Sequence, residues 1–225
     1  MWCVPRLDAE YVQRMEDVLD LYEKPYNPRE PVLCFDEKPV QLLDAVRPPL
    51  PVRPGREARR DNEYVRCGTA NLFCAVEPKA GKHLVKATPN RKAPEFARAL
   101  RDIAEAYPHA RRIHLVLDGL STHSPSSLTR TFGWTQGLRL WRRFCVHYTP
   151  KHGSWLNQAE IEISLVSRQC LGKRRLPALG TLQHEARAWA RRATRNHVRI
   201  RWAFTTPKAR QKFRYRPEDF IPPKD

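Results

Sequence analysis

Two aspartates stand directly after short apolar runs: Asp36 after VLCF (32–35) and Asp118 after IHLVL (113–117). Two glutamates, Glu160 and Glu162, close the stretch HYTPKHGSWLNQAEIE (147–162). Continuous apolar runs of this length predict strands buried on both faces. In open α/β sheets, ligand and catalytic groups collect at the carboxyl ends of such strands. If the two strands are neighbours, Asp36 and Asp118 come close enough to repel unless a cation lies between them. Hard carboxylate oxygens suit Mg2+ or Mn2+. A third acid completes the arrangement in which two ions, about 3.5–4 Å apart, serve an in-line displacement at a phosphodiester.

The third acid is Glu160 or Glu162. Leu156, Ala159, Ile163, Val166 and Cys170 recur at helical spacing, so a helix is predicted from Leu156 onward. Two residues are about 200° apart on a helix, so the glutamates flank that stripe on opposite sides. Asn157, Glu160 and Ser164 share one polar face, which favours Glu160 without settling the choice. Each acid has a plainer reading too: a strand-end turn residue at Asp36, a turn at Asp118–Gly119, a first-turn helix acid at Glu160.

The surrounding elements must bring these positions together. YVQRMEDVLDLY (11–22) puts Tyr11, Met15, Val18, Leu19 and Tyr22 on one helical face, and the prolines of PYNPREP end it. The first apolar run is predicted to stop at Asp36. Residues 44–63 are rich in proline and arginine and read as a semi-extended basic loop. Segments 64–78 and 82–88, joined through KAG, predict an antiparallel hairpin. APEFARALRDIAEAY (93–107) is an amphipathic helix, RIHLVLD (112–118) a second buried strand and FCVHY (144–148) a third short one. TLQHEARAWARRATR (181–195) is a last, arginine-laden helix. The order is mixed α/β and not doubly wound.

Composition narrows the function. Across 225 residues, 41 Lys+Arg stand against 24 Asp+Glu, a formal net charge of +17. Such a balance points to a polyanionic partner, nucleic acid first among them. The six cysteines (Cys3, Cys34, Cys67, Cys74, Cys145, Cys170) form no CxxC pair and several lie in apolar runs. They predict reduced, buried thiols in a cytoplasmic protein, without a zinc knuckle or a disulfide framework. No apolar run reaches about 18 residues, so no membrane span is expected.

Three blocks, VLCFDEKPVQLL, IHLVLDGLSTHSPSSL and HYTPKHGSWLNQAEIEISLVSRQCL, resemble the catalytic domain of DDE transposases of the bacterial insertion-sequence-630 group, relatives of the mariner transposases. The likeness extends to EYVRCGTANLFCAVEPKAG and WAFTTPKARQKF, nearly the whole chain. The resemblance implies a ribonuclease-H-like α/β fold, with a mixed central sheet of three antiparallel plus two parallel strands flanked by helices. It implies Mg2+-dependent cutting and joining of double-stranded DNA at transposon ends and target, with Mn2+ as substitute, in the bacterial cytoplasm and at the nucleoid. Carried across residue by residue, the catalytic and metal-holding acids are Asp36, Asp118 and Glu160. The N-x-x-E motif falls on Asn157 and Glu160, leaving Glu37 and Glu162 as neighbours. The expected organisation is an N-terminal helix and linker (1–30), the catalytic domain (31–200) and a basic C-terminal tail (201–225). Relatives carry a dimer-contact insertion near the place of the 44–63 loop, which implies a homodimer or a DNA contact there.

The chain departs from the pattern at Gly119 and Ser121, where the family usually has asparagine. It also begins almost at the catalytic domain, so it is expected to lack the helix-turn-helix region that reads transposon ends. The alternative is therefore a degenerate or co-opted fragment that only binds DNA non-specifically. Residues expected to meet DNA are His123, Lys151, His152, Trp155, Asn157, Arg187 and Arg191. Each has a blander reading: a satisfied loop histidine, a solvated turn, packing onto the helix start, or a solvated helix face.

Overall fold

The computed structural model describes residues 7–220, so Cys3 and the outer ends of the 1–30 and 201–225 segments lie outside the described residues. Strands β1 (Val32–Ala45), β2 (Tyr64–Glu77), β3 (Lys82–Thr88), β4 (Ile113–Leu117) and β5 (Phe144–Tyr148) form one sheet in the order β3-β2-β1-β4-β5. The β1–β2 and β2–β3 pairs are antiparallel, and the β1–β4 and β4–β5 pairs are parallel. This is the mixed sheet expected from sequence. Chain geometry dictates it, since a tight turn can only reverse direction and a parallel return needs a crossover. The β2–β3 turn closes at Gly81, whose φ of +67° and close approach to the His197 backbone leave no room for a Cβ.

Helices α1 (Ala9–Glu23), α2 (Ala93–Ala106), α3 (Pro125–Phe132), α4 (Trp134–Trp141), α5 (Ala159–Val166), α6 (Leu179–Arg195) and α7 (Thr206–Phe213) cover the sheet. Strand pleating sends alternate residues to opposite faces. Leu33, Phe35, Leu115 and Leu117 pack with Phe96, Leu100 and Ile103 of α2. Cys34 and Val116 pack the other way, with Met15, Val18 and Leu19 of α1 and with Leu156 and Ala159 at the start of α5. A third cluster joins Leu72, Cys74 and Val85 to Val166 of α5 and to Leu182 and Trp189 of α6. Continued one residue further, the alternation puts Asp36 and Asp118 on the α1/α5 face and Glu37 on the α2 face.

The structure corrects several boundaries. β1 does not stop at Asp36 but runs to Ala45, because β2 pairs with it from Cys34↔Val76 to Ala45↔Tyr64. What ends near Asp36 is the parallel pairing with β4, whose last register is Cys34↔Val116. α5 begins at Ala159, with a single 3-10 turn over Ser154–Leu156 ahead of it. Helices α3 and α4 were not legible in the sequence: each has eight residues and together they bury only Ser127, Leu128 and Gly137. Part of the basic C-terminal segment folds as α7 and docks on α1, where Arg210 pairs with Glu16 at 2.8 Å. Of the described cysteines, Cys34, Cys74 and Cys170 are buried as expected, Cys145 is intermediate and Cys67 is exposed. The 44–63 segment, with the outer ends of β1 and β2, forms an exposed ribbon held by bridges Leu50↔Arg59 and Arg53↔Arg56.

Candidate active site

Asp36 leaves β1 where β4 diverges, and Asp118 follows the last residue of β4. The side chain of Asp36 accepts a hydrogen bond from the Glu37 N–H at 2.7 Å. Burial pushes its carboxyl up to about 7, against that hydrogen bond, and the negative charges of Glu160, Glu37 and Asp118 push it the same way. Glu160 and Asp118, both far from Asp36 along the chain, thus bear on it electrostatically.

Asp118 is held differently. Its Oδ1 lies 2.7 Å from Nδ1 of His123 and accepts the Leu120 N–H at 3.2 Å. The His123 contact holds the Asp118 carboxyl below the ordinary carboxylate range. His123 is buried and stacks on Phe96 with ring centroids 4.7 Å apart. Its Nε2 lies 3.2 Å from Glu37 Oε2, close enough for an ion pair though outside hydrogen-bond angles. Burial opposes charge on this ring, but Asp118 and Glu37 together outweigh it and hold its pKa at about 9. His123 therefore stands beneath the site as a cationic prop between two acids. The DNA contact expected of His123 falls on a ring that is buried between these two acids. Glu37, with Arg91 3.6 Å away, is the supporting residue that sequence reasoning passed over. Strand alternation was the signal that could have found it.

Glu160 is reached through Asn157. The Asn157 side-chain N–H donates to the Phe35 carbonyl at 2.9 Å, and its Oδ1 accepts from the Ala159 N–H at 3.1 Å. One amide thus ties the start of α5 to the residue before Asp36 and caps the first turn, on which Glu160 is exposed. Asn157 is buried with both ends of its amide engaged, so in this structure it positions the helix. Asn157→Ala leaves the Phe35 carbonyl without its partner, at a cost of about 1–3 kcal/mol. Denaturant unfolding should show that loss, and any nuclease activity should fall with it because the first turn of α5 is freed.

Glu162 points the opposite way. Its oxygens lie 3.0 and 2.8 Å from Nδ1 of His83, with no exposure of either side chain. His83 Nε2 faces the Val198 carbonyl at 2.9 Å. The pair is a buried clamp between α5, β3 and the extended segment after α6. The two glutamates that sequence could not separate are thus one outside and one inside.

The remaining candidates do not converge. Lys151 and His152 are exposed and line an open cleft of about 800 Å³ together with Asp118, Gly119, Arg14 and Tyr11. Trp155 is half-buried against Phe204 and Phe213, in its packing reading. Arg187 and Arg191 are exposed on α6 beside β3, two strands away from β1, and border a groove with Lys82 and Arg195.

The three acids are tested as a cation site by the chemistry of their donors. The charges that raise the Asp36 carboxyl come from Glu160, Glu37 and Asp118, while the cations His123 and Arg91 bear on Asp118; hard carboxylate oxygens are the donors Mg2+ or Mn2+ take. Among the described residues, the one set of three ligand-type side chains with donor atoms all within 4.8 Å of one another lies elsewhere, on β4 and β5.

A mixed five-stranded sheet of this order, covered by helices on both faces, defines a ribonuclease-H-like domain with an acidic site beside its central parallel pair. Residues 31–183 match the family model described as DDE superfamily endonuclease, and the chain belongs to that family. Solved structures of similar fold include a Mos1 transposase paired-end complex with left transposon end (TM-score 0.54, 13% identity, covering 88% of this chain and 61% of that one). They also include the Mos1 strand transfer complex (0.52, 14%, 87% and 61%). A third is the mariner Mos1 paired-end complex with Mg (0.52, 14%, 87% and 61%). The chain thus spans about 61% of the length of these transposase chains. No curated protein matches it in sequence. Among the described residues no helix is long and apolar enough to cross a membrane.

Proposed function

We propose that the chain is the catalytic domain of a mariner-like transposase of the bacterial insertion-sequence-630 group, which cleaves and joins DNA at transposon ends. What supports this reading is that the charges of Glu160 and Asp118, together with that of Glu37, add to burial in raising the Asp36 carboxyl. In this reading Asp36, Asp118 and Glu160 hold the divalent ions. Bound there, such ions supply activation of the attacking water or 3′-hydroxyl and stabilisation of the leaving oxygen.

The chain's own residues do the positioning. His123 fixes the orientation of Asp118 and neutralises the pair it forms with Glu37. Asn157 locks the helix that carries Glu160 to the strand that carries Asp36. Lys151 and His152, on the rim of the cleft by Asp118, are placed to meet phosphates, and the arginines of α6 extend the positive surface. The exposed 44–63 ribbon is the surface for a second copy or for DNA. The site of action is DNA in the bacterial cytoplasm.

A second reading, a domain that binds DNA without cutting it, is favoured by Gly119. A Cβ at that position would meet nothing within 4 Å, so packing does not require the glycine and the asparagine usual there is absent without a steric reason. Incubation with supercoiled plasmid in Mg2+ and in Mn2+ separates the two. Nicked and linear products support the catalytic reading, whereas a salt-sensitive gel shift with no nicks in either metal overturns it.

A further inference from the structure

We propose that His114, Cys145 and His147 form a second metal site, apart from the acids, that takes a borderline divalent cation such as Zn2+ through Nδ1 of His114, Sγ of Cys145 and Nε2 of His147. The donor atoms of these residues all lie within 4.8 Å of one another. His114 is the register partner of Cys145 across the parallel β4–β5 pair, and His147 follows Cys145 by two residues and so shares its face. The sheet itself therefore gathers the three side chains. Asp118 lies four residues further along from His114, about 13 Å at the rise of a strand, so the two sites are distinct.

The hydrogen bonding around the cluster orients it. His147 Nδ1 is 2.7 Å from Asp17 Oδ2 on α1, which keeps the proton on Nδ1 and leaves the Nε2 lone pair free. That lone pair faces His114 Nδ1 at 2.9 Å. Without an ion the contact needs a proton on His114 Nδ1. Displacing that proton turns two ring lone pairs and a thiol toward one point. Zinc takes His nitrogen at about 2.0–2.1 Å and Cys sulfur at about 2.3 Å, so ligands around a tetrahedral ion stand roughly 3.3–3.7 Å apart, a small adjustment from the spacing here.

Two imidazole nitrogens and a thiolate make a borderline-soft donor set, unlike the hard oxygens of the acid site. A carboxylate on the far nitrogen of a ligating histidine is the support that metal-binding histidines ordinarily have, and Asp17 supplies it. His147 is buried while His114 and Cys145 are half-exposed, so an ion can enter and a fourth position stays open. Binding would tie the β4–β5 edge to α1. The inference does not depend on whether the acids cut DNA.

The test uses the full chain carrying Asp36→Asn and Asp118→Asn, so that the acid site cannot contribute ions. After dialysis against zinc, elemental analysis should find one zinc per chain. Loading with Co2+ should give the sulfur-to-cobalt charge-transfer absorption of a thiolate ligand. Cys145→Ser should remove that absorption, His114→Ala should remove stoichiometric zinc, and Asp17→Asn should weaken zinc binding about 10–100-fold. Circular dichroism checks that each variant is folded; if Cys145→Ser does not fold, the cobalt spectrum of the parent decides. Substoichiometric zinc in the folded parent, a cobalt spectrum without the sulfur band, or zinc content unchanged in folded His114→Ala overturns the proposal.

Discussion

Replacing Asp36 or Asp118 by asparagine, or Glu160 by glutamine, is expected to lower Mg2+-dependent DNA cleavage by about 10^3-fold or more while gel-shift affinity stays. Lewis-acid stabilisation of a phosphodiester transition state amounts to several kcal/mol, and each 1.36 kcal/mol is about a factor of ten in rate. Binding is expected to persist because it rests on the +17 surface and not on three acids. A variant that keeps even a tenth of wild-type cleavage would remove that residue from the site. The same substitution at Asp36 carries a stability signature. Its folded pKa of about 7 is above the ordinary value, so the folded state binds the extra proton between roughly pH 4 and 7. The stability this group contributes is thus complete at low pH and is lost as pH rises through about 7. Asp36→Asn, which cannot ionise, should melt close to wild type near pH 4 and progressively above it toward pH 7–8, measured without divalent ions. A melting difference that does not change with pH would contradict the burial and repulsion assigned to Asp36. Added Mg2+ should raise the melting point of wild type and leave Asp36→Asn nearly unmoved.

Two residues beyond Glu160, the second large effect is on folding. Glu162→Ala should destabilise the protein by about 1–3 kcal/mol, because it strands His83 in the interior without the partner of its Nδ1. For a domain of this size 1 kcal/mol moves the melting point by about 2–4 °C, so a drop of roughly 2–12 °C is expected. Glu160→Gln, on an exposed position of the same turn, should stay within about 0.5 kcal/mol of wild type. The contrast is the check: calorimetry should rank Glu162→Ala far below Glu160→Gln, and cleavage should fail in Glu160→Gln at full folding. Reversed ranks would mean that α5 is turned the other way about its axis.

Much of the fold was legible because it is written in local patterns. The runs before Asp36 and Asp118 are almost wholly apolar, and a strand covered on both faces needs that. The hairpin of β2 and β3 announces itself through Gly81 at its turn, and the stripes of α1, α2 and α6 repeat at helical spacing. Helices α3 and α4 escaped because they are short and bury little, so no periodic stripe exists to read. The length of β1 escaped for another reason: Glu37 to Ala45 are half-polar, and only pairing with β2 keeps them extended.

The candidate site divides in the same way. Sequence alone determined that Asp36 and Asp118 directly follow buried apolar runs, that the chain is strongly cationic, and that Glu160 and Glu162 share the start of one helix. These follow from residue type and spacing, which act over a few neighbouring positions. Tertiary structure decided that Glu160 faces out while Glu162 is clamped to His83, that Asn157 is a tie between α5 and β1, and that His123 props Asp118 from below. It also brought His114, Cys145, His147 and Asp17 together. Each of these is a contact between elements far apart along the chain, and such a contact exists only once the sheet has set its register and the helices have packed on its faces.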